Sequence, residues 1–296
     1  MPYLGEISAL VTAFLWSGSA MIFTAATVRI GSMNVNINRL IFATILLSVT
    51  VAIMQLPIHL SSSQIINLSI SAVIGLVFGD SFLFKAFQEI GARLSMLIMS
   101  LAPAIAAVLS YIFLGETLSI IAITGIVITI IGISIVVIER NGGSASKYRI
   151  TFAGIVYSIC GALGQGVGLI FARMAFDEGA IHGFVASFIR ISVATACLLP
   201  VAVLTHRYRN PVKIFSKDRR ALWLTIIGSL LGPYFGITFS LIAIANTHVG
   251  IAATIMSIVP ILMLPLVRYV YKEKLSWRAI AGACVAVGGV AMLFIK

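Results

Sequence analysis

One stretch of this chain occurs twice. Leu94–Gly132 laid on Ile251–Gly289, a shift of 157 positions with no gap, gives identity at twelve of 39 positions. Two apolar helices match by chance at Leu, Ile and Ala. A shared Pro103/Pro260, Glu116/Glu273, Ser119/Ser276, Gly125/Gly282 and Gly132/Gly289 at fixed spacing point instead to an internal duplication. The correspondence extends backwards. Arg39 answers Arg190, Gly75 and Gly79 answer Gly228 and Gly232, Trp16 and Gln165 share a position, and Gly5 answers Gly154. The offset drifts from 149 to 157 as loops lengthen.

Composition says what kind of helix is duplicated. The chain is 60% hydrophobic and 10% charged, where a soluble domain carries about 25% charged residues. Ten segments have the length of a membrane span, roughly 20 residues: Leu4–Val28, Asn34–Leu56, Ile65–Phe87, Arg93–Phe113, Ser119–Ile138, Ile150–Met174, Gly183–Leu204, Ala221–Ala245, Val249–Val270 and Trp277–Ile295. Each copy is therefore five helices, residues 1–138 and 150–296, joined by a linker at 139–149 with the run Asn141-Gly142-Gly143-Ser144. Five is odd, so the second copy enters the membrane from the opposite side. The expected fold class is an all-α polytopic membrane protein, ten transmembrane helices in two inverted five-helix repeats around a central cavity. A substrate site is expected near midplane, where such repeats meet.

Charge sets orientation and excludes other classes. The net charge is +11, but no basic groove-binding helix is present, so nucleic acid is not an expected partner. Fifteen of the twenty Lys and Arg fall in or beside the odd-numbered loops, including the basic loop Thr205–Arg220. Arg173 and Lys296 alone belong to the other side. The basic side is expected to be cytoplasmic, in a cell (inner or plasma) membrane, with both termini outside. The first apolar run starts at Leu4 without a basic region before it, so no cleavable signal peptide is expected. Cys160, Cys197 and Cys284 have no CxxC spacing, and no metal or cofactor is expected. HExxH, Ser-His-Asp and nucleotide-loop patterns are lacking, so the chain is not expected to be an enzyme.

The motifs Ile90-Gly91-Ala92-Arg93-Leu94-Ser95, Ser100-Leu101-Ala102-Pro103 and Leu114-Gly115-Glu116, with Ser257-Ile258-Val259-Pro260 and Lys272-Glu273-Lys274-Leu275 in the second copy, carry a resemblance. The chain resembles the EamA-type members of the drug/metabolite transporter superfamily, with two EamA domains. That resemblance implies a ten-helix basket and export of small metabolites such as amino acids. Lys272 departs from it, standing where the family turn has Gly.

Several residues stand out for mechanism. Pro103 and Pro260 each free a backbone carbonyl mid-helix, that of Met99 or Met256; a gating kink and a static bend are both open. Gly75xxxGly79, Gly164xxxGly168 and Gly228xxxGly232 read as close-contact faces. Glu116 and Glu273 sit in turns where Ser119 and Ser276 suit helix N-caps. Ionisable groups inside the membrane point to function. Arg39 and Asp80 fall at comparable depth, as a static pair or as substrate and proton groups. Arg190 has Pro233 where its copy has Asp80, so it is a candidate for a substrate carboxylate, or it pairs with Asp177 or Glu178. Lys85 is expected to snorkel to the cytoplasmic interface. Trp16, Gln165 and Tyr234, with Ser17 and Tyr157, are candidates for the cavity wall. The expected partners are a small-molecule substrate, a proton as coupling ion and the lipid bilayer, for a monomer or a homodimer. The leading function is secondary-active export of small polar or amphipathic metabolites. A passive facilitator or channel, and a lipid-handling or scaffold protein, are the alternatives.

Overall fold

A computed structural model describes residues 3–114, 119–141, 150–247, 249–270, 272 and 275–293. Glu116, Glu273 and the 142–149 part of the linker lie outside these residues. Among them every regular element is helical, and eight helical stretches are long and apolar enough to cross a bilayer: Leu4–Ile30, Ser32–Ile53, Ser62–Met99, Ile120–Ile138, Phe152–Asp177, Gly183–Leu204, Arg219–Asn246 and Ile251–Val270. Trp277–Met292 is a shorter apolar helix.

In chain order, α1 (Leu4–Ile30) turns into α2 (Ser32–Ile53) through one residue, Gly31. Its φ of 85° is the left-handed backbone that glycine adopts without strain. α3 (Ser62–Ser71) opens with a capping box between Ser61 and Gln64, passes into a π-helical segment at Ala72–Gly79, and continues as α4 (Asp80–Met99). Then follow α5 (Ala102–Leu114), α6 (Ile120–Asn141), α7 (Phe152–Asp177) and α8 (Gly183–Leu204). The second half adds α9 (Pro211–Lys217), α10 (Arg219–Ser229), a second π-helical segment (Leu230–Gly236), α11 (Ile237–Asn246), α12 (Val249–Met256), α13 (Val259–Val270) and α14 (Trp277–Met292).

The structure corrects several expected boundaries. The segments expected at Ile65–Phe87 and Arg93–Phe113 are parted at Gly91, inside the expected gap, and the second is broken again within its length. Helix runs from Ser62 to Met99 apart from one residue, Gly91, at φ 79° and ψ 166°, and then breaks at Ser100 and Leu101. Val249–Val270 likewise breaks at Ser257 and Ile258. Both breaks lie just before the prolines the copies share, because Pro103 and Pro260 cannot donate to the preceding turn. Thr205–Arg220 is not all loop: Asn210 caps α9 through its side-chain oxygen, and Pro211 takes the first turn, where no amide is needed. Lys272 adopts φ 54°, the conformation that glycine would take there without strain.

Small residues bring the helices together. α1 buries Ala9, Ala13, Ser17, Ala20 and Thr24 among its neighbours, while α6 turns Ile120, Ile123, Val127, Ile131 and Ile138 outward. An exterior of branched aliphatics with small residues at the helix contacts is the arrangement of a helix bundle solvated by lipid. The four glycines that the two copies of the stretch share meet each other. A Cβ on Gly125 would lie 2.6 Å from the Gly289 carbonyl, and one on Gly132 would lie 2.7 Å from the Gly282 carbonyl and 2.4 Å from the Ala286 nitrogen. α6 thus crosses its own copy, α14, backbone to backbone.

Candidate functional site

Where both broken helices meet α1, α2, α4, α7, α8 and α11, a cavity of about 160 Å³ lies inside the bundle. An apolar cavity of roughly 150 Å³ admits a molecule the size of benzene, so this one has room for a small solute. Of the residues singled out in sequence, Trp16, Arg39, Asp80, Pro103, Gln165, Arg190, Gly232 and Pro260 line it. Tyr234 stands apart: its hydroxyl shares a 2.7 Å hydrogen bond with Thr50, and its ring packs on Phe184 and Phe235. Ser17 donates to the Ala13 carbonyl, and Tyr157 packs on Phe82 beside the Lys85 ammonium. Periodicity tells which residues share a helix face, but not which neighbour that face meets.

Asp80 is placed by a local departure from α geometry. Its amide bonds to the Gly75 carbonyl, five residues back, as Ile237 does to Gly232 in the second half. The wider π turn in the second half also accommodates Pro233, which has no amide to donate. Asp80 Oδ2 accepts from Arg39 Nη2 at 2.5 Å, Arg39 Nε donates to Asn36 Oδ1 at 2.9 Å, and the Phe84 ring centroid lies 4.5 Å from the guanidinium carbon. Phe23, packed beside Phe84 with ring centroids 5.0 Å apart, lies 5.8 Å from the same carbon. Gly228 and Gly232 make room for that ring, where a Cβ would lie 2.5 and 3.0 Å from it. Their copies Gly75 and Gly79 pack instead against Gly168 and Gly164 of α7.

Arg190 is in a different state. It is 5% exposed, and its Nε is buried without a hydrogen-bond partner among the described residues. The acids expected as its alternative partners are engaged elsewhere. Asp177 pairs with Arg173 Nε at 2.7 Å, and Glu178 accepts from Ser61, Ser63 and Asn67. Asp80 lies within electrostatic reach of Arg190 while bonded to Arg39. Gly75 leaves the space the guanidinium uses: a Cβ there would lie 3.4 Å from Arg190 Nη2 and 3.3 Å from Gln165 Oε1.

A family model, the EamA-like transporter family, matches residues 3–138 and again residues 152–295. The chain belongs to the EamA-like transporter family. A curated relative, the uncharacterized transporter YxxF of Bacillus subtilis (strain 168), is 32% identical over 88 residues, which are 30% of this chain and 28% of that protein. A solved crystal structure superposes with a TM-score of 0.69 over 98% of this chain and 95% of its own, at 15% identity. That likeness concerns the fold alone.

This EamA-like transporter also places residues that the sequence reading passed over. Asn36 holds Arg39, and Ser19, Ser100, Ser240 and Ser257 line the cavity. Met96, Met99 and Met256 supply much of its apolar wall. A signal for Asn36 existed: Asn34, Asn36 and Asn38 are three buried amides at alternate positions just before Arg39. The outer two fasten the segment after α8. Asn34 accepts from the Arg209 amide and Asn38 from the Tyr208 hydroxyl, each at 3.0 Å. Burial raises the pKa of that hydroxyl above its ordinary value, so it remains a donor near neutral pH.

Proposed function

We propose that this protein is a secondary-active transporter that exports small amino-acid-like or other amphipathic metabolites by alternating access. The observation that carries the reading is Arg190, a buried guanidinium on the cavity wall with an unpartnered Nε. An unpaired buried cation is costly unless a ligand or water completes it, and a guanidinium matches a carboxylate in geometry as well as charge. Ten passages support the alternating-access part. Ser62–Met99 has 38 residues, roughly 57 Å of helix against a hydrocarbon core of about 30 Å. Read as two passages turned at Gly91, the second continuing through α5, and with α14 counted, the chain crosses ten times. Two copies of five are then inverted about the cavity, with the basic loops on the cytoplasmic side of the cell membrane.

The test is binding to the purified protein in detergent, read as a ligand-dependent rise in Tm across a panel of small carboxylates. Arg190→Gln is expected to remove the shift while retaining a cooperative melt. Arg190→Lys is expected to weaken binding about tenfold or more, because the charge survives and the fork does not. A shift retained in Arg190→Gln would refute the anchoring role.

A further inference from the structure

The described lining of the cavity carries two cations, Arg39 and Arg190, and one acid, Asp80. Two guanidiniums facing one cavity would ordinarily make a site for two carboxylates. Here only one is available. Arg39 gives Nη2 to Asp80 and Nε to Asn36, and the adjacent rings of Phe84 and Phe23 lie against its guanidinium. Arg190 makes no hydrogen bond or ion pair among the described residues. The duplication explains the imbalance, since the position of Asp80 is Pro233 in the second copy.

We propose that Asp80 is the specificity-determining residue of this cavity: by occupying Arg39 it leaves a single anion anchor, so the site takes a solute with one carboxylate and an apolar body and rejects a dicarboxylate. The inference rests on the reading that Arg190 anchors the substrate. One carboxylate balances the excess positive charge of the site. A second would face Asp80 without a cation of its own, and an uncompensated charge is expensive in a low-dielectric interior. The remaining wall suits an apolar body, with Leu83, Phe87, Met96, Met99, Leu169 and Met256 around it.

The experiment titrates butyrate and succinate, acids of the same chain length, against the full chain in detergent and reads Kd from the shift in Tm. Wild type should bind butyrate at least about tenfold more tightly than succinate. Asp80→Asn releases Arg39, and succinate affinity should rise about tenfold or more. Arg39→Gln has the opposite effect: Asp80 turns to Arg190, and butyrate affinity falls by a similar factor. The double variant Arg39→Gln with Asp80→Asn should regain butyrate without gaining succinate. A purely structural ion pair would lower Tm in both single variants and show neither the exchange of selectivity nor the rescue. Should a single variant fail to fold, the double variant decides, because it buries no unpaired member of the pair, and loss of butyrate there overturns the proposal. Equal affinity of wild type for the two acids, or no gain of succinate in Asp80→Asn, overturns it while leaving the Arg190 anchor standing. Butyrate binding that survives Arg190→Gln removes the anchor itself, and a wild type that binds neither acid overturns both.

Discussion

Arg39 and Arg190 are one residue in two copies of a sequence, and their surroundings now differ in nearly every contact. Arg39 is held by Asp80, Asn36 and two aromatic rings; Arg190 is packed against the space left by Gly75 and has no polar partner for its Nε. The holding amide has a measurable consequence. Asn36→Ala leaves Arg39 Nε buried without an acceptor, which is expected to cost about 1–3 kcal/mol, seen as a lower Tm in detergent. An unchanged Tm would mean that water replaces the amide. Part of this site was legible beforehand. Comparable depth suggested Arg39 with Asp80, and the missing acid at Pro233 pointed to Arg190. Asn36 was not singled out, because an amide near a helix end looks like ordinary interfacial polarity until its partner is known. Tyr234 was a candidate for the cavity wall, and its hydroxyl meets Thr50.

Among the elements, the duplicated glycines show how a repeat becomes packing. Gly125 and Gly132 of α6 lie against Gly289 and Gly282 of α14, so the positions that identify the duplication are also where its two copies touch. Gly132→Ala would press a methyl into the Ala286 nitrogen and the Gly282 carbonyl. Overpacking of this kind costs about 1–3 kcal/mol. Gly288, one residue from Gly289, has nothing within 4 Å of a built Cβ and is the control. Gly288→Ala should leave Tm unchanged or raise it slightly, since alanine favours helix by about 1 kcal/mol. Equal effects of the two substitutions would show that α6 and α14 do not pack this way. The apolar spans were readable from length and hydropathy. The π-helical segments were not, because Val73–Phe78 reads as ordinary apolar helix and nothing in its order of residues marks the extra residue per turn. The prolines marked the two helix breaks. How far each break extends depended on neighbours the sequence does not name.

The whole molecule joins two EamA-like halves, a cavity where both broken helices meet, and one guanidinium there whose Nε has no partner among the described residues. The class of protein and the repeat were accessible from composition and spacing alone, because both are properties of the chain in order. Which residues share the cavity was not, since that depends on helix rotation. The most direct measurement is counterflow in proteoliposomes preloaded with unlabelled norvaline, an amino-acid zwitterion with one carboxylate, one ammonium and a short apolar body. On addition of trace labelled norvaline outside, wild type should accumulate label transiently above its equilibrium level, as a carrier does and a channel does not. Arg190→Gln should stay near the level of empty liposomes, and Arg190→Lys should fall between the two. Label that only equilibrates in wild type, or an overshoot in Arg190→Gln equal to that of wild type, would contradict a carrier whose cavity holds its substrate through Arg190.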